Sequence, residues 1–221
     1  MANLPTPAIP TVEQFRDLKR QFLSPMTGGP DRARDRFVSY LRTYPTLLAH
    51  FGKRPLTPHD LQLGALATYA WMATTLIVRE DITSDTVGVF ERARDAVEPL
   101  GEDLEALVRT FNNSLVGVSK MLHFAAPEYH PIWDSNVAYA VYGSGYYHVV
   151  SSVDRYTTYA RALRQRVDEH AAEFEAIVWE MKRRLMAQRL PTSHLAPLRA
   201  AELLIFATPR ATHRVPERDA V

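Results

Sequence analysis

A chain of 221 residues, 46% of them apolar, with 26 Lys and Arg against 25 Asp and Glu, has the size of one globular domain. Neither low hydrophobicity nor net charge argues for disorder. The absence of cysteine excludes disulfides, thiol catalysis, cysteine-ligated zinc and iron–sulfur clusters.

In chain order, residues 1–10 lack the basic and apolar runs of a signal peptide, so a cytoplasmic protein is expected. Thr11 opens a helix that should stop near Ser24-Pro25, and residues 26–30 read as a loop. A second helix from about Asp31 should break before Pro45 and recover to about Phe51. Thr57-Pro58 sets a cap before proline at the first helical position and starts an apolar helix to about Val78. Residues 61–78 carry no charge and sit at the lower limit for a membrane span. With Gln62, Gly64, Thr68, Thr74 and Thr75 inside it, the stretch reads as a helix buried in an α-domain, and no membrane association is expected. Ser84-Asp85 caps the next helix, ending near Pro99, and residues 102–112 form a short one with Leu104, Leu107, Val108 and Phe111 on one face.

From Leu115 a tight turn around Gly117 leads into two helical turns stopped by Pro127. Residues 131–134 are a loop delivering Asp134 as the cap of a short helix, which Gly143-Ser144-Gly145 breaks after Tyr142. Residues 153–188 are the longest helical stretch, and residues 195–208 close the fold. With no strand alternation and no repeat, the class is all-α. The expected organisation is one compact helical unit over residues 1–208, of one or two lobes with segment 102–142 lining the cleft, and a flexible tail over 209–221.

Charge is segregated. Residues 79–105 carry nine acids and three arginines, and residues 182–221 carry eight basic residues and three acids. Such a chain can meet a polyanion on one side despite its neutral total. A solvated acidic face plus a basic tail accounts for the same counts, and a non-catalytic α-helical interaction or regulatory module is the alternative reading.

Four of the 26 basic residues are lysine and 22 are arginine, so an isolated lysine is a departure from the chain's own preference. Between Arg109 and Glu128 the only formally charged residue is Lys120; between Glu128 and Asp154 it is Asp134. Lys120 taken alone fits a snorkelling side chain, and Asp134 taken alone fits a helix cap. As a pair at two helix N-termini they supply an amine nucleophile and a carboxylate able to stabilise developing positive charge in one cleft.

Gly117-Val118-Ser119-Lys120, a short helix, then Pro131-Ile132-Trp133-Asp134-Ser135-Asn136-Val137 resembles the signature of helix-hairpin-helix DNA glycosylases, in the cluster-free 8-oxoguanine glycosylase-like branch. The resemblance covers about residues 111–142. It implies a helix-hairpin-helix fold, no cofactor, double-stranded DNA as partner, a monomer, and excision of a damaged or modified base in repair or in defence against phage DNA. Backbone amides of Leu115, Val116, Gly117, Val118 and Ser119 would hold a DNA phosphate. Asp134 would stabilise an oxocarbenium-like sugar or activate water beside a flipped base. Lys120 would either attack C1′ and permit strand cleavage or, kept charged, contact phosphate.

Trp133, His123, His130, Tyr69 and Trp71 are further candidates to stack on a base or line its pocket, each with core packing as the alternative. No His-x-x-His or His-Glu-x-x-His spacing supports a metal site.

Overall fold

The structure, a computed structural model, describes residues 5–22, 32–98 and 100–208. The expected end of the first helix at Ser24-Pro25, the loop over 26–30 and the tail over 209–221 lie outside the described residues. Among the described residues there are eleven α-helices and no strand beyond one isolated bridge, so the chain is all-α. They are α1 (Val12–Phe22), α2 (Arg32–Phe51), α3 (Pro58–Trp71), α4 (Ser84–Asp95), α5 (Gly101–Thr110), α6 (Leu115–Ala125), α7 (Ser135–Tyr142), α8 (Tyr147–Val150), α9 (Val153–Glu169), α10 (Ala171–Ala187) and α11 (Pro197–Phe206).

Two helices form the centre. α6 buries nine of its eleven residues and is packed by α2, α3, α4 and α5. α11 buries the unbroken run Leu198–Ile205 and is packed by α1, α7, α9 and α10. A helix buried on all sides is expected to be apolar all round; both are except at the charged positions Lys120, Arg199 and Glu202 and the polar Ser119 and His123. One continuous apolar core joins the two clusters, from Phe15 through Phe51, Phe90 and Trp133 to Ile205.

Local physics moved several boundaries. α2 runs through Pro45 without a break. The proline removes one intrahelical bond, but Leu41, Tyr44, Leu47 and Phe51 lie on one buried stripe across it, and that burial outweighs the lost bond. α3 stops at Trp71, well short of Val78, because Ala73 takes a left-handed φ of 55° and the β-branched segment after it runs extended. There Val78 bridges Phe111, Arg79 N–H donates to the Thr110 carbonyl at 3.0 Å, and Asn112 N–H donates to the Ile77 carbonyl at 3.1 Å. α3 is also not buried throughout: Leu63 and Leu66 face solvent. Among the described residues no helix is long and apolar enough to cross a membrane.

Thr83, one residue earlier than expected, caps α4 through a reciprocal pair with Thr86, and α4 ends at Asp95. The long charged stretch divides at His170 into α9 and α10, which lets the Tyr156/Tyr159/Leu163 stripe and the Phe174/Ile177/Met181 stripe both reach α11. The expected tight turn at Gly117 is absent. The chain reverses earlier, at Asn112 and Asn113 with φ of 60° and 50°, in the left-handed region that asparagine tolerates. Ser114 then caps α6 by accepting the Gly117 N–H at 3.1 Å. Gly117 sits in the first turn of α6 for a steric reason: a Cβ there would collide with the Tyr69 ring and hydroxyl.

Candidate functional site

Between the α6 and α11 clusters lies a cavity of about 260 Å3 whose wall includes Lys120, Asp134, Asn136, Arg199 and Glu202. Its apolar lining comes from Phe37, Tyr40 and Leu41 of α2, Trp71 and Met72 at the end of α3, and Leu203 and Phe206 of α11.

The two residues singled out by charge isolation meet here. Lys120 Nζ lies 3.9 Å from Asp134 Oδ2 and 5.7 Å from the centre of the Trp71 ring. A Ser119 clasp sets that approach. Its hydroxyl donates to the Val116 carbonyl at 3.0 Å and accepts the Trp133 N–H at 3.2 Å, so the residues before Lys120 and Asp134 are tied together. Asp134 is the cap of α7: Oδ1 accepts the amides of Asn136 at 2.9 Å and Val137 at 3.0 Å, and Oδ2 is the oxygen on the lysine side. Gly143 ends α7 with a φ of 69°, where a side chain would strain the backbone. Burial holds the Lys120 ammonium below its ordinary range, against the pull of Asp134 and Glu202.

Beneath them, Arg199 and Glu202 form an ion pair one turn apart on α11, 5% and 1% exposed. Arg199 also covers the Tyr44 ring, 4.8 Å from its centre, and its Nε has no hydrogen-bond partner. Burial pushes the Glu202 carboxyl up to about 7 in spite of Arg199. Reading the sequence for isolated charges between residues 109 and 154 missed this pair. The same criterion finds it in Leu195–Ala207, where Arg199 and Glu202 are the only charges, at helical i,i+3 spacing.

Other expected site residues are placed differently. His123 is fully buried: its Nδ1 donates to the His130 carbonyl at 2.6 Å, so its Nε2 accepts from Tyr44 Oη at 2.5 Å. His130, also fully buried, donates from Nε2 to the Arg94 carbonyl at 2.9 Å. Burial holds both imidazoles below their ordinary range, His130 at about 4. They form a neutral chain through the core and present no edge to a ligand. Trp133 is completely enclosed among Tyr142, Tyr156 and Tyr159, with Nε1 donating to the Val150 carbonyl at 2.8 Å, so it has no free face for a base. Tyr69 is buried, its hydroxyl donating to the Phe111 carbonyl at 3.1 Å, and it braces the α5–α6 turn without reaching the cavity. Trp71 alone of the five lines the cavity, held by Thr43 at 3.2 Å and by the Tyr40 and Phe124 rings.

Of the five amides expected to hold phosphate, Gly117 N–H is taken by Ser114 Oγ, Val118 N–H by the Ser114 carbonyl, and Ser119 lies within the helical ladder. Leu115 and Val116, at the first two helical positions, supply the amides that point out of the α6 N-terminus.

Part of the acidic stretch is paired. Asp95 pairs with Arg54 and Arg94, Asp103 with Arg92, and Glu98 with Arg161 and Arg164. Of the eight basic residues in 182–221, five lie in the described residues 182–208 and three in 209–221. Comparison of the chain with protein-family profiles, with curated proteins and with solved structures finds no match.

Proposed function

We propose that the chain is a DNA glycosylase that takes a flipped base into the cavity and cleaves its N-glycosidic bond, leaving an abasic site. The observation that carries this reading is the approach of Lys120 Nζ to within 3.9 Å of Asp134 Oδ2 on the wall of an aromatic-lined cavity of about 260 Å3. That volume is below the roughly 300–1,000 Å3 of drug-sized pockets and suits one flat base against Trp71, Tyr40 or Phe206.

Each residue then has a task. Asp134 keeps one oxygen on the α7 amides and turns the other toward the sugar, where a fixed carboxylate lowers the energy of a cationic C1′. Lys120, drawn toward its neutral form by burial, is a nucleophile for C1′, giving a covalent imine after base departure. The α6 N-terminus at Leu115 and Val116 holds a backbone phosphate, and the turn at Asn112-Asn113 between α5 and α6 serves as the hairpin.

Incubation with DNA carrying 8-oxoguanine or 5-hydroxymethylcytosine should yield abasic sites. Borohydride should trap a covalent complex that Lys120→Ala loses. Base release without any trapped complex would remove the lyase step and leave Lys120 a charged contact; no base release from either DNA counts against the reading for those two bases.

A further inference from the structure

We propose that Glu202 is the proton donor to the departing base, with Asp134 confined to the sugar side; this rests on the glycosylase reading of the cavity. The two carboxylates share one cavity but not one environment. Asp134 stands at a helix N-terminus with two backbone amides on Oδ1. Glu202 is 1% exposed on a helix buried on all sides, and its only ion-pair partner among the described residues is Arg199.

Stability gives no reason for that arrangement. A buried ion pair in an apolar helix is commonly matched or bettered by apolar residues of similar volume, because desolvating both charges offsets their attraction. Here the pair lines a cavity with two more charged groups, and Arg199 Nε is a buried donor with no partner.

The chemistry calls for what Glu202 offers. Cleaving the N-glycosidic bond leaves its electron pair on the base nitrogen, and a base anion is a poor leaving group. A carboxyl group proton transferred to the base as the bond breaks removes that charge. The Lys120 amine then adds to C1′ and passes a proton to the Glu202 carboxylate, and water later hydrolyses the resulting imine to free the lysine. The free base and the hydroxylated sugar are the products, and both carboxyls end as they began. Two carboxyls with unlike surroundings dividing acid and stabilising roles is the general solution for glycoside cleavage. A carboxyl held near 7 is protonated often enough at neutral pH to serve. The groups that act on it are Arg199 on its own helix, Lys120 of α6, Asp134 before α7, Tyr159 of α9, Tyr44 of α2 and, through Arg199, His194.

The test is single-turnover base release from oxidised, methylated and hydroxymethylated duplex DNA, with freed bases measured by mass spectrometry between pH 5.5 and 9. Wild type should release a base at a rate that falls above about pH 7. Glu202→Gln should be slower by about a hundredfold or more and lose that limb, while Glu202→Asp keeps a limb. An active wild type with Glu202→Gln within threefold of it, or with the limb intact, overturns the proton-donor role and leaves the glycosylase reading standing. No base released by wild type from any of the three DNAs overturns both. Should Glu202→Gln not fold, infrared titration of wild type decides the matter: a carboxyl band that persists to near pH 7 and shifts in Glu202→Asp supports the role, and its loss by pH 5 overturns it.

Discussion

Asp134 has two separable duties, and substitution can divide them. As the α7 cap it satisfies two amides through Oδ1; as a cavity group it presents Oδ2. Asparagine keeps an oxygen in the Oδ1 position and loses the charge; alanine loses both. Removing a side-chain cap costs about 1–2 kcal/mol. In a domain of this size each kcal/mol moves Tm by about 2–4 °C, so Asp134→Ala should melt about 2–8 °C lower. Asp134→Asn should stay within about 1 °C of wild type and still lose on the order of 100- to 1,000-fold in base release, the value of one well-placed electrostatic group in a transition state. Circular-dichroism melts and single-turnover assays on the same preparations give both numbers. If Asp134→Asn melts as low as Asp134→Ala, the cap assignment is wrong; if it retains full activity, the catalytic assignment is.

Three further outcomes follow from packing and charge. Gly117→Ala should destabilise by about 1–3 kcal/mol by overpacking against Tyr69, and in a double-mutant cycle with Tyr69→Leu the two effects should be non-additive by more than about 0.5 kcal/mol in urea denaturation. Arg199→Met should cost about 3–5 kcal/mol by stranding Glu202, whereas Arg199→Met combined with Glu202→Leu should recover most of that loss; equal stability of the two variants would mean the pair is not a buried unit. His130, held at about 4 in the folded state, takes up a proton in the unfolded chain first, so its contribution is present above its ordinary value near 6.5 and is lost as pH falls toward 4, up to about 3 kcal/mol. Glu202 acts in the opposite sense between its ordinary value and about 7, so the quantity to measure is the difference between wild type and His130→Gln at pH 7 and pH 4.5. That difference should shrink at the lower pH, and a constant difference would show that His130 is not buried neutral.

The parts of the fold that depend on local chemistry are legible in the sequence. Asp134 before Ser135-Asn136-Val137 is a cap because its short carboxylate reaches two amides, and Thr57-Pro58 starts α3 for the same local reason. What depends on partners far along the chain is not. Nothing near Pro45 announces that Tyr44 and Leu47 are buried on both sides of it, and nothing near Val78 announces that it will bridge Phe111. The same division runs through the site. Lys120 and Asp134 stand out because they are isolated charges in apolar segments, which is what a side chain aimed into a cavity looks like in one dimension. Trp133, His123 and His130 are polar or aromatic neighbours of those residues, but nearness in sequence does not decide what a side chain meets: His123, one helical turn from Lys120, is taken up by Tyr44 and the His130 carbonyl, and Trp133 and His130 are enclosed in the core. Arg199 and Glu202 lie roughly 80 residues beyond Lys120 and join the cavity only because α11 packs beside α7 and α9.

Base release itself tests the central claim most directly. Oxidised, methylated and hydroxymethylated duplex DNA, incubated with wild type and with Asp134→Asn and analysed for free bases by mass spectrometry, should show one class of base released by wild type and none above background by the variant. Equal release by the two proteins, or none by wild type from any of the three DNAs, would contradict the assignment of the Lys120–Asp134 cavity as a glycosylase site.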